Sequence, residues 1–332
     1  MGDGSRCAFE LVVEDKCDLI ITLGGDGSTQ NTLNGLVRGC LYLDPQALAK
    51  GAPLPVGLAV IPTGSGNDLQ KTIGGEPVDV YSEAFFERTV KTIAESGKVV
   101  YADIGKVEYT KDNTGIILPA LNDEHIPKQY LSNDSSKKLA YQFDSENTGV
   151  RFFMNESSFG ISTSVLNAVN NSTISKEINY NVQTLWKQLT FVNPSIDVEV
   201  DGETVYSGIS QLVCVGNGKA FGNGMYPNPN ATITSENLSV CILHNIRLWN
   251  VFSVVYSLKA GTIGSYALAS LLEGKKSLKA KRSESETQDV YLECDGEVVG
   301  KLPAQYDVVP AIIKMIVPES SPEYELHSKK NL

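Results

Sequence analysis

Residues 18–30 read DLIITLGGDGSTQ and residues 55–74 read PVGLAVIPTGSGNDLQKTIG; each is an apolar run of strand length that ends in glycines and passes at once into a helix-like stretch. No other feature narrows the fold as much. A buried strand that turns straight into a helix must reverse tightly, and it leaves the first helical N–H groups pointing outward without partners. Glycines let the backbone approach phosphate oxygens with no Cβ in the way, and the helix N-terminus adds partial positive charge. Gly24, Gly25 and Gly27 suit that purpose, with Ser28 as a hydroxyl donor at the cap position. A carboxylate such as Asp26 repels phosphates unless it takes a proton or shares a cation. The alternative for the first loop alone is a plain turn rich in Gly and Asp, and for the second a helix merely capped by Asn67 or Asp68; two such loops on one rim of a parallel sheet can clamp a nucleotide.

Short apolar runs alternate with helical spacers through the first third of the chain, from DLIITL to VVYADIGKV. They predict parallel strands covered on both faces, an N-terminal doubly wound parallel α/β domain over residues 1–106. Residues 107–150 are rich in Asn, Asp, Ser and Lys and read as an insertion. Beyond them, alternating apolar segments bounded by D-G, N-G and Pro turns predict a C-terminal antiparallel β-sandwich or barrel domain, so that 107–318 forms a β-rich unit and 319–332 a polar tail. Helices are expected at STSVLNAVNNS and along LWNVFSVVYSLKAGTIGSYALASLLEG.

The formal charge of −11 argues against nucleic acid and against broad attraction to an anionic membrane, so any anionic ligand must be held locally. Six scattered cysteines without a C-x-x-C pair suggest neither a zinc module nor a disulfide framework. With no leader and no long uninterrupted apolar run, a cytoplasmic protein without a transmembrane segment is expected. One cationic island, KKSLKAKR (275–282), reads either as a connector or as a patch that docks on anionic lipid or reaches ATP phosphates.

The chain resembles the diacylglycerol kinase catalytic-domain family of lipid kinases, which includes sphingosine and ceramide kinases and bacterial soluble lipid kinases. The resemblance rests on GGDGS (24–28), PTGSGNDLQKTIG (62–74), YADIGKV (101–107), FFMNESSFGIST (152–163), VCVGNGKAFGNGMYPNPNA (213–231) and LECDGEVVGKLP (292–303), in the family's order. It implies transfer of the γ-phosphate of ATP to a lipid hydroxyl, in a cleft between the two domains. By that resemblance Gly24, Gly25, Gly27, Ser28, Thr63, Gly64, Ser65, Gly66 and Asn67 contact ATP. Asp26, Asp68 and Asp103 match acidic residues associated with catalysis and Mg²⁺, and Asp295, Gly296 and Glu297 match the D-G-E that supplies the general base. Glu297 is taken as base and Asp26 as magnesium partner, with the reverse left open.

The implied partner is a lipid substrate presented by a membrane surface, with the protein peripheral there; a homodimer is left open. The chain departs from the family in three places. The N-P-x-S-G loop that normally precedes G-G-D-G is missing, so the nucleotide domain reads as N-terminally shortened. Asn31 stands where Glu is common, and Asn230, Ser235 and Glu236 replace the Asp, Asp and Gly expected after NGM, so no structural magnesium is expected there. A NAD kinase, which shares the G-G-D-G loop, and a catalytically weak lipid-binding homologue are the alternatives. Of the two D-G-E triplets, 201–203 is read as a hairpin turn.

Overall fold

The computed structural model describes residues 3–74, 82–112, 126–131, 145, 147–170, 186–187, 190–222 and 224–330. Parallel strands β1 (Leu19–Gly24) and β2 (Gly57–Pro62) run in register from Leu19 opposite Gly57 to Gly24 opposite Pro62. Helix α2 (Asp26–Leu43) covers them, and α1 (Asp3–Val13) crosses α2 at Gly35, where an added Cβ would lie 2.0 Å from the Ser5 carbonyl oxygen. A short α3 (Asp68–Ile73) follows β2, then α4 (Glu83–Lys91) and β3 (Lys98–Thr110). The covering of the sheet is one-sided at its edge: Ile20 and Thr22 of β1 are buried, whereas Ile21 and Leu23 are exposed. Alternation along β1 thus replaces the continuous burial expected of it.

The C-terminal part holds β4 (Thr148–Phe153), β5 (Glu156–Gly160), α5 (Ile161–Asn170), β6 (Ser195–Val200), β7 (Glu203–Ile209), β8 (Leu212–Gly216), β9 (Leu238–Leu243), α6 (Val251–Lys259), β10 (Ala269–Lys275), β11 (Ser277–Arg282), β12 (Tyr291–Cys294) and β13 (Glu297–Val317). Apart from β13 alongside β2, every pairing of these strands is antiparallel. The order is β10-β9-β8-β5-β12-β13-β11-β6-β7. Strand β13 ties the two parts together. Its first half pairs with β12 and β11, and its far end lies parallel to β2 through Lys314 and Met315. Antiparallel to it along most of its length runs β3, which crosses residues 106 and 107 without a break.

Three sequence expectations change. The long apolar stretch after residue 247 is not one helix: α6 ends at Lys259, Gly261 takes φ +66°, and ASLLEGK becomes β10. KKSLKAKR is no connector. It forms the β10–β11 junction, where Lys275, Lys279, Lys281 and Arg282 face Asp201, Glu199, Asp197 and Asp289 in a ladder of ion pairs, so most of its charge is compensated locally. The expected tail contains α7 (Pro322–Lys330), which buries Glu323. Of the expected insertion, residues 113–125, 132–144 and 146 lie outside the described residues. The first D-G-E is a hairpin turn, with Asp201 at φ +50° and Gly202 at φ +88° between β6 and β7.

Candidate active site

The two glycine loops touch. The Thr63 N–H donates to the Gly24 carbonyl at 3.0 Å. A Cβ added to Gly64 would lie 2.4 Å from the Gly25 Cα, and one added to Gly25 would lie 3.0 Å from the Gly64 Cα. Only residues without a side chain allow this approach. Asn67 adopts φ +49°, a left-handed conformation that Asn tolerates better than most residues. Its amide closes the second loop, donating through Nδ2 to the Gly64 carbonyl at 2.7 Å and accepting the Gly64 N–H at 3.0 Å. Gly25, not Ser28, is the N-cap of α2, so no cap side chain covers the first amides of that helix. Ser28 instead lies against Gly24, within the first turn.

Asp26 reaches across from the first loop to the second. Its Oδ2 accepts the Asp68 N–H and its Oδ1 the Leu69 N–H, both at 3.0 Å, so it caps α3 from outside that helix. Burial raises its pKa, the Asp68 charge adds to the rise, and the two amides and Lys71 oppose it. Asp68 Oδ1 accepts from Lys71 Nζ at 2.6 Å and from the Gly224 N–H at 3.3 Å. The two carboxylates flank Gly66, where a Cβ would meet Asp26 Oδ2 at 3.1 Å and Asp68 Oδ2 at 3.5 Å. Adjacent carboxylates opposed by one lysine suit a hard divalent cation, which would relieve their repulsion.

Asp103 belongs to other surroundings. It is fully buried on β3, its Oδ1 accepts the Ala311 N–H at 2.7 Å and its Oδ2 the Glu236 N–H, and burial pushes it up to about 6. Among the described residues no set of three His, Cys, Asp or Glu side chains is arranged around a metal position.

The second D-G-E makes the turn between β12 and β13, with Asp295 at φ +46° and Gly296 at φ +85°. Both oxygens of Asp295 are engaged, Oδ2 by the Met154 N–H at 2.9 Å and Oδ1 by those of Asn155 and Glu156 at 3.0 Å, so it fixes the junction of β4 and β5. Burial pushes Asp295 up to about 8 against these three donors. Glu297 is held more lightly: Asn31 Nδ2 donates to its Oε1 at 3.4 Å. A Cβ on Gly27 would lie 2.8 Å from that oxygen, which places the carboxyl group over the first turn of α2. Burial raises its pKa, while the Arg151 charge and the Asn31 bond lower it.

Four polar residues of α2 that the sequence reading passed over, or weighed only as a departure, build the seam between the domains. Gln30 Nε2 donates to the Cys294 carbonyl at 3.1 Å and Arg38 Nη2 to the Val150 carbonyl at 3.0 Å. Asn34 bonds both the N–H and the carbonyl of Phe152, and Asn31 meets Glu297. All four are buried. Their spacing at 30, 34 and 38 is the signal: a polar stripe at i, i+4 and i+8 on a helix face that packs inward. Behind the D-G-E turn lies a second unforeseen feature, the buried pair Glu156 and Glu293. Burial and then the charge of Glu293 drive Glu156 well above the usual range, and Glu293 accepts the Gly296 N–H at 2.9 Å.

These buried acids set a pH dependence. Asp103, Glu323 and Asp295 are raised by burial to about 6, about 7 and about 8, so the folded chain holds protons that the unfolded chain has already lost. Their stabilising contribution is complete in acid and disappears as pH climbs through those values, with a slope of at most about 1.4 kcal/mol per pH unit for each group. Thermal melts should therefore show Tm declining between about pH 5 and about pH 8. A Tm that rises across that interval would contradict the protonated burial of these groups.

Residues 2–107 match the family model of the diacylglycerol kinase catalytic domain, and residues 155–317 match that of the YegS C-terminal NAD kinase beta sandwich-like domain. The chain belongs to the diacylglycerol kinase catalytic-domain family. Solved structures agree on the fold of a family member. A candidate diacylglycerol kinase from Bacillus anthracis str. Sterne aligns with TM-score 0.61 and 18% identity over 96% of this chain and 83% of that one. A second structure described as a diacylglycerol kinase from the same organism gives 0.54 at 18% identity, over 96% and 83%. No curated protein matches the sequence significantly. The domain matches make this a member of a kinase family, with both glycine loops inside the first matched segment and the late D-G-E inside the second.

Proposed function

We propose that the chain is a lipid kinase that moves the γ-phosphate of ATP to the hydroxyl of a lipid, diacylglycerol or a sphingoid base. The observation that carries this reading is the backbone contact between Gly25 and Gly64, which joins two phosphate-binding loops on one rim, with Glu297 facing Gly27 beside them. The amides at the start of α2 and the loop from Thr63 to Asn67 would cradle the phosphates. Asp26 and Asp68 would hold Mg²⁺, directly or through water, and the ion would supply positive charge to the phosphate oxygens. As the lipid oxygen attacks the γ-phosphorus, Glu297 takes the hydroxyl proton, the bond to the bridging oxygen breaks, and ADP leaves.

Asp295 and the buried polar residues of α2 act through position. They lock the D-G-E turn and the first turn of α2 together, so that base and phosphate loop keep one distance. The test is phosphorylation of diacylglycerol, a sphingoid base and NAD in parallel, with products resolved after incubation with labelled ATP. A labelled lipid is expected. Label in NADP alone would replace this reading with a NAD kinase, which the description of the C-terminal domain brings to mind. Absence of both product and millimolar ATP binding would leave a lipid-binding homologue.

A further inference from the structure

Both tryptophans of the chain stand in solvent, Trp186 59% and Trp249 73% exposed. Trp249 precedes α6, whose inner face (Val251, Val254, Leu258) packs into the apolar cluster shared with Ile161, Leu212 and Phe221. The outer face carries Phe252, 82% exposed, and Tyr256, 74% exposed, one turn apart and in line with Trp249. Leu248 beside them is exposed too. A nine-residue helix that is apolar on both sides has one face filled by its own core and one facing outward.

Charge selects what that outward face meets. From Asn237 to Leu272 there is no Asp or Glu, in a chain that has 39 acidic residues and a net charge of −11. The charged residues of this stretch are Arg247, whose guanidinium lies 5.4 Å from the Trp249 ring centre, and Lys259 at the end of α6. The neighbouring segment follows the same rule. Asn193 donates to the Asn245 side chain and to the Ile246 carbonyl, and nearby Trp186, Lys187 and Val192 add exposed apolar surface and one more cation without a carboxylate.

An acidic protein is repelled by an anionic bilayer wherever its carboxylates face it, and the stretch from Asn237 to Leu272 that carries this face contributes none. Trp and Tyr rings beside Arg and Lys are also the side chains that settle at the boundary between headgroups and acyl chains.

We propose that the outer face of α6, with Trp249, Phe252, Tyr256, Arg247 and Lys259, docks the protein on an anionic phospholipid surface. This surface is separate from the KKSLKAKR ladder, where four of the five cations face carboxylates. It is linked to the active site through one loop: the Tyr226 N–H donates to the Leu258 carbonyl at 2.9 Å, and the same loop reaches α3 through Gly224 to Asp68 at 3.3 Å and Lys219 to Thr72 at 3.0 Å. Docking itself does not depend on catalysis. That it delivers substrate rests on the proposed lipid kinase reading.

The two tryptophans make the test direct. With vesicles of phosphatidylcholine and phosphatidylserine at about 7:3, the full chain should cosediment and its emission should shift to the blue, and much less so with phosphatidylcholine alone. The triple variant W249S/F252S/Y256S should lose at least tenfold in vesicle partition, and R247E/K259E should lose the preference for phosphatidylserine. Vesicle binding that is absent in the parent, or unchanged in the triple variant, overturns the proposal. So does a parent dimer that the triple variant dissociates without weaker vesicle binding, since the face would then pair two copies. Failure to phosphorylate detergent-dispersed lipid, with patch-dependent vesicle binding intact, upholds docking and removes only the kinase reading.

Discussion

Replacing Gly64 by Ala is expected to abolish MgATP binding and phosphotransferase activity together. The new methyl group would sit 2.4 Å from the Gly25 Cα, a backbone atom that cannot rotate away. Either the two loops part, or the whole β2–α3 turn shifts, and in both cases the pair no longer lines one phosphate pocket. The strain should cost about 1–3 kcal/mol of stability, the usual range for overpacking a close contact. It should also loosen Asn67, whose side chain bonds both polar backbone groups of Gly64. Calorimetric titration with MgATP reads the first effect and urea unfolding the second. A folded Gly64→Ala protein that binds nucleotide as the parent does would show that the loops do not grip the phosphates jointly.

That contact was legible in outline. Glycines at the ends of two apolar runs place two bends on one rim, and the parallel register from Leu19–Gly57 to Gly24–Pro62 brings them side by side. The work of Asp26 was not legible, because a carboxylate in such a loop can hold a cation, take a proton or cap a helix, and the identity of the residue is the same in each case. The capped amides are those of Asp68 and Leu69, more than forty positions away.

Periodicity also failed where it carries the least information. Apolar residues from Val251 to Leu272 satisfy a helix and a buried strand alike, and the break is set by Gly261 and by pairing with β9. KKSLKAKR does alternate, with Leu278 and Ala280 buried, but its partners in β6 decide that it is a strand. The polar stripe of α2 reads as a solvent face until β4 and the D-G-E turn are packed against it.

Glu297→Gln should lower the rate of lipid phosphorylation by about 10²–10⁴-fold, the range expected for loss of a general base, with MgATP binding nearly unchanged. The amide preserves the size of the side chain and its contact with Gly27 and Asn31, and removes only the ability to accept a proton. The parent enzyme gives a second signature. Burial raises Glu297 above the usual carboxylate range, so the base is active where it is ionised, and kcat/KM should fall as pH is lowered through that raised value. In Glu297→Gln this acidic limb should vanish from whatever activity remains. Asn31→Ala should move the limb to higher pH, because the Asn31 bond favours the anion.

Asp295 offers a contrast that separates chemistry from position. Its oxygens are occupied by three backbone amides, so Asp295→Asn should cost stability at the β4–β5 junction and leave the acidic limb where the parent has it. If Glu297→Gln keeps the parent rate and the same pH limb, Glu297 is not the base, and Asp26, the first residue of α2, is the alternative to test next.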